Sequence, residues 1–148
     1  MPARVAWSPA QLVLFEANKL PRTRRSHYAY EKAIHIAIAD LLRLDAKPGL
    51  LWTHIASGEY RTDATAALLK RLGVQPGWPD LMFVDVAGAV AFMEFKRRGG
   101  RLSPEQDKFR AACVERGIRH AVCYSFAEAE TQLREWHFLQ GRTRVAAG

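Results

Sequence analysis

Two apolar runs, Asp80 to Val86 and Ala89 to Lys96, meet across Ala87-Gly88, and no other segment constrains the fold of this chain as tightly. Both runs are short, rich in Leu, Phe, Val and Met, and bounded by turn residues, the pattern of antiparallel strands joined by a hairpin. Loop length then decides which side chains share a face, because side chains alternate along a strand. A two-residue loop sets Asp80 opposite Phe95. A three-residue loop, Val86-Ala87-Gly88, pairs Asp85 with Ala89 and hence Asp80 with Glu94. That loop wants a left-handed residue in its last position, and Gly88 supplies one. We expect the three-residue loop, gathering Asp80, Glu94 and Lys96 at one end of the hairpin.

The flanking segments read as helices and short strands. Ser8-Pro9 predicts a helix to about Leu20, followed by a basic arm, Lys19 to Arg25. Tyr30, Ile34, Ala37, Ile38, Leu41 and Leu42 recur at three- and four-residue steps, which predicts an amphipathic helix from His27 to Leu44. Leu50 to Ile55 reads as a strand, Ser57-Gly58 as a turn, and Ala64 to Leu72 as a helix capped by Thr62 or Asp63. Ser103-Pro-Glu-Gln106 is a capping box opening a helix that ends at Gly117. Arg119 to Tyr124 is a further strand, and Ser125 to Glu128 a second capping box for a helix reaching about His137. This order predicts an α/β fold, a mixed β-sheet flanked by helices. Residues 1–26 form an N-terminal helix and arm, 27–140 the main domain, and 141–148 a flexible tail.

Composition narrows the class. The chain has 148 residues, 49% of them hydrophobic and 25% charged, enough for one domain with a real core. No apolar run is long enough for a membrane helix, and the first residues lack a signal-peptide pattern. The two cysteines, Cys113 and Cys123, are too few for a disulfide framework and are expected to be reduced core residues of a cytoplasmic protein. A net charge of +7 points toward a polyanionic partner.

Glu94 and Lys96 stand two apart on an otherwise apolar strand, so both project to one face. Desolvating two charges costs several kcal/mol each unless they are paired, hydrogen-bonded or metal-bound. Two converging carboxylates repel, and a divalent cation removes the repulsion; oxygen ligands favour Mg²⁺ or Mn²⁺. A lysine beside such an ion can orient water or offset charge on a phosphate. Residue types and spacing together describe metal-dependent phosphodiester hydrolysis.

Pro79-Asp80 followed by Glu94-Phe95-Lys96 resembles the PD-(D/E)xK nuclease signature. The longer string Gly77-Trp-Pro-Asp-Leu81, Phe92-Met-Glu-Phe-Lys96, Gly100 to Gln106 and Gly117 resembles the VRR-NUC branch. The resemblance implies a restriction-endonuclease-like fold, a divalent metal and cleavage of structured DNA. It also implies a small standalone enzyme of phage or bacterial type, acting on four-way junctions as a homodimer in repair or recombination. By resemblance, Asp80, Glu94 and the Phe95 carbonyl bind metal, Glu31 on the first core helix supports it, and Lys96 is the catalytic lysine. Gln106 matches the family glutamine that orients the lysine or the water, and it is also the natural capping-box partner of Ser103; the two roles are compatible. Flap- or nick-directed cleavage is the alternative within nucleases, and a non-catalytic DNA-binding module the alternative outside them.

Arg97, Arg98 and Arg101 follow the motif strand, and Arg61 precedes the second core helix, so these four are the expected DNA-phosphate contacts. Ser57-Gly58 stands where relatives often carry Asn-Gly. His54 is expected to be a core or surface histidine, with a place near the site, reached from the preceding strand, as the alternative, and Trp78 a core residue or loop anchor, with stacking on DNA as the alternative.

Overall fold

The computed structural model describes residues 24–56 and 62–141. Its elements are α1 (Arg24–Asp45), β1 (Leu51–His54), α2 (Asp63–Arg71), β2 (Leu81–Val84), β3 (Val90–Phe95), α3 (Pro104–Glu115), β4 (Arg119–Cys123) and α4 (Phe126–Glu135). This is the expected α/β order from the first core helix onward. The helix expected at Ser8 to Leu20, most of the basic arm, the Ser57-Gly58 turn, Arg61 and the tail from residue 142 lie outside the described residues. One boundary moves: Arg24 and Arg25 are helical rather than part of an arm. Nothing between Arg24 and His27 breaks a helix, and arginine is a good helix former.

Two compact units share the chain. The first, Gly49–Glu94 with Gly100–Val122, holds most of a mixed sheet of order β1-β2-β3-β4. β1 and β2 pair antiparallel, Leu51 with Val84 through His54 with Leu81. β2 and β3 also pair antiparallel, Val84 with Val90 through Leu81 with Met93. A helix, α3, connects β3 to its neighbour β4, the kind of crossover that parallel strands require. Leu81, Phe83, Ala91, Phe92 and Met93 form the buried centre of the hairpin.

The hairpin loop is the three-residue one. Asp85 N–H donates to the Ala89 carbonyl at 2.9 Å, Gly88 N–H donates to the Asp85 carbonyl at 2.9 Å, and Gly88 has φ +84°. The Asp85 carboxylate secures the loop, accepting the N–H groups of Ala87 and Ala89, each at 2.9 Å, and pairing with Arg119 at 2.8 Å. The Ala89 N–H, ahead of the arginine, holds this carboxyl below its usual range.

The second unit, Met1–Pro48 with Phe95–Gly99 and Cys123–Gly148, is built on α1 and α4, which touch one another. Ala33, Ile34, Ala37, Ile38, Leu41 and Leu42 are buried along α1, as the three- and four-residue spacing requires, and Ala129, Leu133, Phe138 and Leu139 are buried at and beyond α4. Asp45 is fully buried at the end of α1, a position tolerable only with hydrogen bonds. Its Oδ2 accepts the Gly141 N–H at 3.0 Å and its carbonyl accepts the Gln140 N–H at 2.8 Å.

The caps follow the sequence with one shift. Thr62 rather than Asp63 caps α2, accepting the Thr65 N–H. Ser125 caps α4, but the Glu128 carboxylate takes the N–H of Tyr124 at 2.7 Å, one residue outside the usual capping-box partner. Both cysteines are buried thiols, and burial, reinforced by Glu128, pushes Cys123 up to about 12. Among the described residues, no helix is long and apolar enough to cross a membrane.

Candidate active site

Register brings the two motif carboxylates together. The pairing that joins Leu81 to Met93 places the next residues out, Asp80 and Glu94, directly opposite one another. Opposed residues of antiparallel strands project to the same face, with Cβ atoms about 5 Å apart. Glu94 is only 5% exposed, so its charge needs partners.

Gln106 is one of them. Its Nε2 donates to Glu94 Oε1 at 2.7 Å, while its Oε1 accepts the Ser103 N–H at 2.9 Å. The capping box is complete as well, since Ser103 Oγ accepts the Gln106 N–H at 3.2 Å. The two bonds fix the amide orientation: a backbone N–H needs the oxygen, so the nitrogen faces the carboxylate. The cap role and the site role coexist in one side chain. The partner is Glu94, which the sequence had not singled out for it.

The Gly77-Trp-Pro segment explains why Asp80 sits where it does. Gly77 has φ +87°, and a Cβ there would lie 2.5 Å from the carbonyl carbon and oxygen of Glu105. Only glycine lets this loop pack onto the first turn of α3, next to Gln106. Pro79 is buried, and Trp78 packs on Phe109 at 4.8 Å and edge-on against Phe92 at 5.8 Å. Trp78 is therefore a loop anchor that remains 38% exposed. Asp80 leaves this seat with its carbonyl accepting the Ile55 N–H at 2.9 Å.

His54 takes the alternative place that the sequence left open, beside the site at the end of β1. Its Nδ1 is 2.7 Å from the Asp80 carbonyl oxygen, and a ring nitrogen lies within 4.8 Å of an Asp80 carboxylate oxygen. The signal available was register alone: His54 closes β1 opposite Leu81, the residue after Asp80.

The other described candidates, Arg101 apart, belong to the second unit. Glu31, half-buried on α1, accepts the Arg97 N–H through Oε1 at 3.0 Å and so ties down the chain just beyond Lys96. Lys96 N–H donates to the Cys123 carbonyl at 3.0 Å. The Phe95 side chain is 1% exposed, and its ring packs against His35 at 5.2 Å. Arg97 is half-buried and Arg98 exposed. Arg101, exposed, lies in the sheet unit.

The donor set of the sheet unit is suited to a hard divalent cation. Asp80 and Glu94 supply carboxylate oxygens from opposed backbone positions, and Gln106 holds one of them in place. This donor set stands on a mixed sheet flanked by helices. The chain belongs to the VRR-NUC family, whose domain matches residues 26–127. A solved structure described as a VRR_NUC domain shares the fold, with a TM-score of 0.50 and 21% identity over 74% of this chain and 98% of that one. No curated protein matches the chain.

Proposed function

We propose that this protein is a Mg²⁺- or Mn²⁺-dependent endonuclease that hydrolyses phosphodiester bonds in branched DNA, four-way junctions in particular, and works as a homodimer. The observation that carries the reading is the Asp80–Glu94 register, with Gln106 donating to Glu94. Carboxylates placed opposite each other beside a polyanionic substrate are unfavourable without a cation, so a pure binding module has little use for them. Asp80, Glu94 and the Phe95 carbonyl are the proposed ligands, supported by Glu31. The cation would polarise the scissile phosphate and offset the charge that develops on it.

The chain's own groups do the rest. Lys96 orients the attacking water and moves its proton. Gln106 keeps Glu94 in one rotamer. Glu31, through the Arg97 N–H, fixes the backbone around Lys96. Arg97, Arg98, Arg101 and Arg61 hold DNA phosphates, so recognition follows backbone shape rather than base sequence. The +7 net charge supports that use. Support for a second copy comes from α2, which has no buried residue and leaves Leu68, and Leu72 at its C-cap, exposed.

The test is incubation with four-way-junction, flap, nicked and linear DNA in Mg²⁺, in Mn²⁺ and in EDTA, alongside a solution mass. Symmetric cleavage of the junction that is lost in EDTA and in Lys96→Ala is expected. Cleavage of linear duplex alone refutes the junction reading, and a Lys96→Ala variant as active as wild type refutes the assigned chemistry.

A further inference from the structure

We propose that His54 is a nitrogen ligand, through Nε2, of the cation held by Asp80, so that the site has mixed nitrogen and oxygen donors. The inference rests on reading Asp80 and Glu94 as a metal-holding pair and goes beyond it in naming a residue and a metal preference.

Tautomer logic leads to it. The Asp80 carbonyl oxygen can only accept, and it lies 2.7 Å from His54 Nδ1, so Nδ1 carries the hydrogen. In the neutral ring the lone pair is then on Nε2, the atom that a metal takes. An Nδ1–H donated to a backbone carbonyl is the usual device that fixes a ligating imidazole. Here that carbonyl belongs to Asp80 itself.

Distance agrees. A His54 ring nitrogen and an Asp80 carboxylate oxygen fall within 4.8 Å of one another. Two donors on one ion stand roughly 3 Å apart in adjacent positions and about 4 Å apart in opposite ones, given bonds near 2.1 Å. Rotation of the His54 and Asp80 side chains brings donors this near to those separations. The Ile55 N–H on the same carbonyl, at 2.9 Å, holds the strand end while the ring adjusts.

The chemical consequence is selectivity. Imidazole raises affinity for Mn²⁺ and, more steeply, for Ni²⁺, and does little for Mg²⁺. His54→Asn separates a ligand from a latch, because its amide nitrogen can keep the Nδ1 hydrogen bond while nothing replaces Nε2.

Titration calorimetry of the DNA-free full chain with Mg²⁺, Mn²⁺ and Ni²⁺ is the test, joined by electron spin-echo spectroscopy of the Mn²⁺-loaded protein. His54→Asn is expected to weaken Ni²⁺ binding about tenfold or more and Mg²⁺ binding by less than about threefold, and to diminish the nitrogen modulation of the Mn²⁺ echo. His54→Gln, which offers an amide near the Nε2 position, should fall between the two for Mn²⁺ and recover little for Ni²⁺. Equal affinities in wild type and His54→Asn, or equal losses for all three metals, overturn the proposal. If Asp80→Asn and Glu94→Gln bind Mn²⁺ as wild type does, the carboxylate-pair reading fails instead, independently of His54.

Discussion

Gln106 links the start of α3 to a buried carboxylate, so its removal should cost more than the loss of a helix cap. Gln106→Ala deletes the acceptor for the Ser103 N–H, worth about 1 kcal/mol, and the charge-assisted bond to Glu94, worth about 1.5–3 kcal/mol where the carboxylate is buried. The expected total is about 2.5–4 kcal/mol. Ser103→Ala loses the hydroxyl half of the box and should cost only about 1 kcal/mol. Urea unfolding at pH 7 in EDTA measures both. A double-mutant cycle of Gln106→Ala with Glu94→Ala isolates the shared bond and should return a coupling of about 1.5 kcal/mol or more. If Gln106→Ala costs no more than Ser103→Ala, and the coupling falls below about 0.5 kcal/mol, the amide does not serve Glu94 and the reasoning is wrong.

Three further outcomes are expected. Gly88→Ala, with φ +84° in open space, should cost about 1 kcal/mol, whereas Gly77→Ala adds a collision with the Glu105 backbone and should cost about 3 kcal/mol or more; equal melting temperatures would refute the packed-loop account. His120 is held neutral by burial, then by Arg110, with its pKa lowered to about 4 from 6.5, and among the described residues its buried Nδ1 has no hydrogen-bond partner. The unfolded chain takes up this proton below pH 6.5 and the folded chain only near 4, so stability should drop on acidification through that window, by about 1–2 kcal/mol after discounting for partial exposure, and His120→Leu should flatten the dependence in pH-resolved melts. Glu31→Ala should speed hydrogen exchange at the Arg97 amide by about tenfold, while Glu31→Gln, which keeps an acceptor, should not; unchanged exchange in Glu31→Ala would show that the bond holds nothing.

The hairpin was legible in the sequence because strand alternation is strict. Once Gly88 selected the three-residue loop, the opposition of Asp80 and Glu94 followed by counting. The cap of α3 was equally legible, since Ser103, Pro104 and Gln106 act within one turn. What escaped was set by long-range packing. The hold of Gln106 on Glu94 spans two elements, and the shift of the Glu128 bond to Tyr124 depends on how β4 enters α4. For His54 the sequence left two readings open, because a histidine at a strand end carries no periodic signal; the β1–β2 register decides between them by bringing it beside Asp80. The Gly77 seat was visible as a glycine, but its reason, the Glu105 backbone, came from a segment 28 positions later.

The double use of the Gln106 amide has a consequence for searching and for engineering. Three short stretches, Gly77 to Leu81, Phe92 to Glu94 and Ser103 to Gln106, are locked by two hydrogen bonds and one glycine contact. They therefore travel as a block. The three residues between Gly99 and Ser103, Gly100 to Leu102, could be lengthened without disturbing the block, but a single insertion between Gly77 and Asp80 could not. A three-segment coordinate template of these positions should find kin whose linear motif has drifted beyond recognition, and it offers a self-bracing acidic pair for transplantation onto other hairpins.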